Sequence, residues 1–146
     1  MSATCRNSRQ AYAVDIMQVK TTGRQRKGDA RGFLLEFVRG DEIKGMAGQV
    51  YCTVSEPGAV RGNHYHKRKT EWFTVLEGEA ILKLKDLATG EEKELLLSGE
   101  KPGIVEIPAG IAHALKNSGK DKLYHVAYIS EPFKEQDQDT YPLKLL

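Results

Sequence analysis

From Gly32 onward the chain exchanges apolar and polar residues at every second position in short runs, and glycine-bearing turns separate the runs. A period of two marks extended strands, because successive side chains on a strand point to opposite faces. Phe33, Leu35 and Phe37 alternate with Leu34, Glu36 and Val38. Val50, Cys52 and Val54 alternate with Tyr51 and Thr53, and Ala80, Leu82 and Leu84 with Ile81, Lys83 and Lys85. Thr89-Gly90 predicts a hairpin turn, after which Glu94 to Leu97 returns. Leu123, His125, Ala127 and Ile129 share one strand face. Upstream, residues 1–10 read as a disordered tail and Ala11 to Lys20 as a first strand reaching Thr21-Thr22-Gly23. Only the segment after Pro132 leaves room for a helix. The pattern predicts an all-β sandwich or barrel and does not choose between them.

A length of 146 residues sets the expectation of one domain with a real core, residues 11–146. With a net charge of +2 and 29% charged residues, nothing global points to nucleic acid or membrane as a partner. The charge is uneven along the chain. Arg6, Arg9, Lys20, Arg24, Arg26, Lys27 and Arg31 crowd the N-terminal third, and Glu131, Glu135, Asp137 and Asp139 the tail. Cys5 and Cys52 suggest neither a disulfide framework nor a cysteine metal site, so a reducing cytoplasm is expected. Ala11 to Met17 is short for a signal peptide and is interrupted by Asp15. No stretch approaches the roughly 20 apolar residues of a membrane-spanning helix.

The chemistry concentrates between Gly58 and Gly78. His64 and His66 flank Tyr65, so on a strand both imidazoles point the same way. Glu71 follows a short basic link, Lys67 to Thr70, that is expected to bring the next strand back alongside. His113 arrives later, framed by Pro108, Gly110 and Asn117. Three neutral imidazoles and one carboxylate suit a divalent metal such as zinc, iron, manganese or nickel. Taken alone, His64-x-His66 also fits an exposed pair or two hydrogen-bonded core residues. His125, the remaining histidine, reads equally as a core residue among apolar neighbours and as part of a pocket.

Two motifs carry a resemblance to the cupin superfamily. Gly58, five residues, His64, one residue, His66, four residues, Glu71, six residues and Gly78 reproduce the first; Pro108-x-Gly110, His113 and Asn117 reproduce the second. Gly103 departs from it, with four residues between it and Pro108 where the pattern has five. The resemblance covers about residues 29–141 and implies the cupin double-stranded β-helix, a jelly-roll barrel, with His64, His66, Glu71 and His113 as metal ligands.

Arg61-Gly62-Asn63-His64-Tyr65-His66, Glu71 and a closing Asp139-Thr140-Tyr141 are similar to the C-terminal cupin domain of bifunctional UDP-sugar epimerase/reductases of capsular polysaccharide synthesis. More distantly, the run resembles dTDP-4-dehydrorhamnose 3,5-epimerases and dTDP-4-keto-6-deoxyhexose 3,4-ketoisomerases. The resemblance implies a zinc-binding homodimer that epimerises or isomerises a nucleotide-linked 4-keto sugar in polysaccharide biosynthesis. Arg61, Asn63 and Lys67, with Arg68 and Lys69, would bind the nucleotide sugar, whose diphosphate suits arginine forks and lysine point charges. In metal-free relatives the first histidine is the base, but a histidine on a metal has no lone pair to spare. The base would then be His64 without metal, or, with it, a bound water, His125, or a tyrosine among Tyr65, Tyr124 and Tyr128. The epimerases' catalytic tyrosine falls at Ile129 or Ser130, and no Gly-x-Gly-x-x-Gly of a reductase is present. A non-catalytic sugar- or metabolite-binding cupin and an iron-dependent dioxygenase are the alternatives.

Overall fold

The structure, a computed structural model of the chain, describes residues 18–23, 27–29, 32–34, 48–131 and 134–146. The tail at 1–10, the domain start at 11, most of the first strand expected over Ala11 to Lys20, and Leu35 and Phe37 lie outside them. Among the described residues the strands are β1 (Thr21–Gly23), β2 (Lys27–Asp29), β3 (Gly32–Leu34), β4 (Gln49–Ser55), β5 (Val60–Tyr65) and β6 (Glu71–Glu77). There follow β7 (Glu79–Asp86), β8 (Glu92–Ser98), β9 (Gly103–Ile107), β10 (Ile111–Asn117), β11 (Leu123–Ile129) and β12 (Tyr141–Pro142).

Two five-stranded antiparallel sheets, ordered β1-β9-β6-β11-β4 and β12-β5-β10-β7-β8, make the jelly roll expected of a cupin, and β2-β3 form a small separate hairpin. Both sheets feed one core. Phe73, Val75, Val105, Ile107, Leu123 and Ala127 come from the first sheet and meet Ala80, Leu82, Leu84, Ile111 and Leu115 from the second. The alternation of Ala80, Leu82 and Leu84 is thus the core face of β7. Leu82 is fully buried, and Leu82→Ala is expected to lower unfolding free energy by about 2–5 kcal/mol, through lost transfer energy and a residual cavity. Urea titration checks this: the midpoint should fall while the slope stays unchanged.

The Thr89-Gly90 turn is present. Gly90 has φ of 76°, and the Asp86 carboxylate accepts from the backbone N–H groups of Ala88 and Thr89. Two expectations change, and the inward face of β4, which the alternation left open, is decided. After Pro132 the described segment contains a turn and β12, with no helix. The Lys67 to Thr70 link carries the chain across to the other sheet, since β5 and β6 belong to different sheets. On β4, Val50, Cys52 and Val54 are exposed whereas Tyr51 and Thr53 turn inward. No helix among the described residues is long and apolar enough to cross a membrane.

Candidate metal centre

The pairing of β5 with β10 sets His64 directly opposite His113. One step further along, Ala114 pairs with Gly62, so Asn63 is an extra residue in a bulge that re-aims His64. Gly62 (φ 82°) and Asn63 (φ 55°) both occupy the left-handed region. A Cβ on Gly62 would lie 2.8 Å from the His113 carbonyl oxygen. Glycine is required there for conformation and for space. Gly62→Ala is expected to destabilise the fold by at least about 1 kcal/mol and to weaken metal binding through a displaced His64; unaltered zinc affinity would refute the second part.

His66 follows the last residue of β5, and Glu71 opens β6 in the facing sheet. The second sheet therefore contributes the imidazoles and the first the carboxylate. One ligand atom from each of His64, His66, Glu71 and His113 lies within 4.8 Å of the other three. Nε2 of His113 is 2.8 Å, and Nε2 of His66 3.6 Å, from Oε2 of Glu71. Even so, these three atoms and Nε2 of His64 are buried with no hydrogen-bond partner. An unsatisfied buried polar group typically costs about 1–3 kcal/mol, and a shared cation would satisfy all four of these at once.

The far sides of the ligands are held. Tyr51 donates its hydroxyl to Oε1 of Glu71 at 2.9 Å, leaving Oε2 turned to the cluster. His113 donates from Nδ1 to the Ile111 carbonyl at 3.3 Å, and His66 from Nδ1 to the Asp139 carbonyl. Such partners fix the tautomer and leave the Nε2 lone pair for a metal. Burial, and then neighbouring His113, pulls His64 down to about 4, so it is neutral. Burial opposes charge on Glu71, yet His113 and His66 hold its carboxyl well below the usual range. Burial also disfavours charge on His66, but Glu71 and the Asp139 carbonyl outweigh it and raise that group. A neutral imidazole and an ionised carboxylate are the forms a metal needs, and the donor set fits a divalent transition metal.

The C-terminal segment closes over this edge. The Asp139 carboxylate accepts from the backbone N–H groups of Lys67, Arg68 and Lys69 at 3.0, 2.9 and 3.0 Å. Asn63, expected to contact substrate, also meets the tail: its Oδ1 accepts from the backbone of Leu145 and Leu146, and its Nδ2 donates to the Leu146 carbonyl. Tyr65 stacks on Tyr141 with ring centroids 5.2 Å apart, and the Lys67 ammonium sits 4.2 Å over the Tyr141 ring. These three side chains are directed to the tail. Arg68 pairs with Glu131 and Asp137 on the surface, and buried Lys69 donates to the Gln138 carbonyl.

Two cavities flank the cluster. One, of about 170 Å³, is lined by His64, His113, Arg61, His125, Tyr51 and Thr53 among others. The other, of about 200 Å³, meets His64, His66, Glu71, Lys69, Thr140 and Ile129. Arg61 is tethered at its cavity, donating from Nε to Ser55 Oγ at 2.7 Å and from Nη2 to the Val54 carbonyl at 2.8 Å. His125 is buried and packs against Phe73, and it also lines this cavity, where Thr53 Oγ1 contacts its Nδ1. Tyr124 and Tyr128 alternate with His125 on β11; Tyr128 packs against Trp72 at 5.3 Å, and neither lines either of these two cavities.

Burial, then the Arg61 cation, pulls His125 down to about 4 from the ordinary 6.5. The unfolded chain therefore binds more protons between those values, and stability falls as pH drops from about 6.5 toward 4. In chelator-treated protein, His125→Gln should flatten part of that decline in melting temperature. An unchanged slope would contradict it. Tyr51, Thr53 and Asp139 join the site without a role read from the sequence; the signal for the first two is their shared face on β4, and for Asp139 its place in the closing Asp139-Thr140-Tyr141.

Residues 27–141 match the polysaccharide biosynthesis C-terminal domain. The chain belongs to that family. A UDP-2-acetamido-2,6-beta-L-arabino-hexul-4-ose reductase of Pseudomonas aeruginosa is 35% identical over 113 residues, covering 77% of this chain and 29% of that protein. The capsular polysaccharide assembling protein CapF of Staphylococcus aureus superimposes with a TM-score of 0.66 at 31% identity, over 84% of this chain and 33% of that one. This member of the family thus spans about a third of the length of those two proteins. The 3,5-epimerase RmlC of Legionella pneumophila, solved with dTDP-4-keto-L-rhamnose, shares the cupin fold: TM-score 0.74 at 22% identity, over 92% of this chain and 77% of that one.

Proposed function

We propose that the chain is a metal-binding cupin that epimerises or isomerises a nucleotide-linked 4-keto sugar in surface-polysaccharide biosynthesis. The observation that carries this reading is a cavity lined by His64 and His113 of the four-residue cluster together with Arg61 and His125. The Pseudomonas relative, named for a UDP-linked hexul-4-ose, supports the substrate class. His64, His66, Glu71 and His113 would hold the ion, zinc in the first place, with iron, manganese or nickel also suited to the donors. When bound, it supplies positive charge beside the ketone oxygen, where negative charge gathers as the α-proton leaves.

The protein's own residues do the rest. Of Arg61, Asn63, Lys67, Arg68 and Lys69, Arg61 lines the 170 Å³ cavity, and its guanidinium would bind the diphosphate. His125 is neutral at physiological pH and has a lone pair to accept the proton at C3, with Thr53 holding its ring. Return of the proton on the opposite face gives an epimer. Return at another carbon gives an isomer. The same reading carries a cytoplasmic homodimer.

The test is solvent exchange. Incubation in deuterated water with UDP- and dTDP-linked 4-keto-6-deoxy sugars is expected to place deuterium at C3 of at least one. Saturable binding of these compounds without exchange would replace this reading by a second, a non-catalytic sugar-binding cupin. That second reading is favoured by Ile129 at the 200 Å³ cavity, near where the epimerases place their catalytic tyrosine. Bound iron with oxygen-dependent turnover would instead support a dioxygenase.

A further inference from the structure

We propose that Asp139 is a positioning residue of the metal centre, setting His66 through its carbonyl and holding the loop between His66 and Glu71 through its carboxylate. The inference rests on the metal-binding reading above. Its basis is a single residue with two separate sets of contacts. The Asp139 carbonyl receives the Nδ1 proton of His66, which assigns the lone pair to Nε2, the atom turned toward Glu71 and His113. The carboxylate receives the three successive backbone N–H groups of Lys67, Arg68 and Lys69. Those residues fill most of the interval between two ligands.

Asp139 itself has φ of 44°, in the left-handed region, and is buried. A non-glycine residue persists there where its surroundings over-determine it, and three charge-assisted hydrogen bonds do so. The carboxylate locks the backbone, and the locked backbone aims the carbonyl at His66. The rest of the tail fixes the same edge: Tyr141 pairs with Tyr65 and Pro142 with His64, and Asn63 binds Leu145 and Leu146. The centre is thus completed by a segment some seventy residues downstream of His66, without a ligand from it.

Zinc affinity of the full chain, measured by competition with a chromogenic chelator, tests the proposal on Asp139→Asn and Asp139→Gly. Asparagine keeps the shape but offers one acceptor oxygen; glycine keeps the left-handed backbone and the carbonyl without any carboxylate. Each is expected to weaken zinc binding about 10–100-fold and to alter the visible spectrum of the cobalt-substituted protein. In a His66→Ala background, Asp139→Asn should add less than about a threefold loss, because it acts through His66. Glu131→Gln, which weakens an exposed ion pair of the loop and leaves Arg68 and Asp139 intact, should leave affinity unchanged. Wild-type affinity in both Asp139 variants, full additivity with His66→Ala, or an equal loss in Glu131→Gln would overturn the proposal. Should glycine prevent folding, the asparagine variant decides. Failure of the wild type to bind zinc, cobalt or iron stoichiometrically is a different result, and it would remove the metal-binding reading itself.

Discussion

His113→Ala is expected to take bound zinc from about one ion per chain to a trace and to remove the protection that zinc gives the fold. His113 is nearly fully buried, and its Nε2 is one of the four unpartnered polar atoms of the cluster. An ion that binds only the native state stabilises it by mass action, by about 2.7 kcal/mol when free metal stands at 100 times the dissociation constant. For a domain of this size that corresponds to a shift in Tm on the order of 10 °C. The measurement is elemental analysis together with thermal melts with and without chelator. The wild type should lose its metal-dependent increment on chelation and the variant should show none. His66→Ala should behave alike, since its Nε2 belongs to the same cluster. Full metal occupancy in both variants would mean that the four side chains do not share an ion.

The second large effect concerns the split between turnover and binding. His125→Gln should lower kcat for C3 exchange about 10²–10⁴-fold, the usual contribution of a positioned base, while KM moves little. The amide of glutamine can still meet Thr53 but cannot accept the proton in this way. Arg61→Ala should do the reverse, raising KM about 10–100-fold through loss of a charge-assisted contact of about 1.5–3 kcal/mol to the diphosphate. Arg61→Lys should recover little, because lysine cannot reproduce the fork that is tied to Ser55 and Val54. Comparable losses of kcat in both variants, with KM unmoved, would point to collapse of the cavity instead of separate roles.

The residues themselves determined much of this protein. Period-two alternation marks Ala80, Leu82 and Leu84 as one face, and the structure buries that face in the core. The spacing His64-x-His66 guarantees two imidazoles on one side of a strand, and Glu71 and His113 at their intervals complete a recognisable donor set. Other features were decided only in three dimensions. Periodicity tells which residues share a face but not which face turns inward, so β4 read equally well with Val50, Cys52 and Val54 inside, whereas Tyr51 and Thr53 took that place. Tyr51 is placed there by a hydrogen bond to Glu71, a partner twenty residues away that no local pattern announces. Glu71 reaches the imidazoles from the opposite sheet because the basic link crosses between layers instead of turning back. Asn63 hydrogen-bonds to the tail at Leu145 and Leu146, and the carbonyl that meets His66 belongs to Asp139. Backbone groups carry no side-chain signature in the sequence, so contacts made through them, between segments far apart in the chain, exist only once the two sheets and the returning tail have packed.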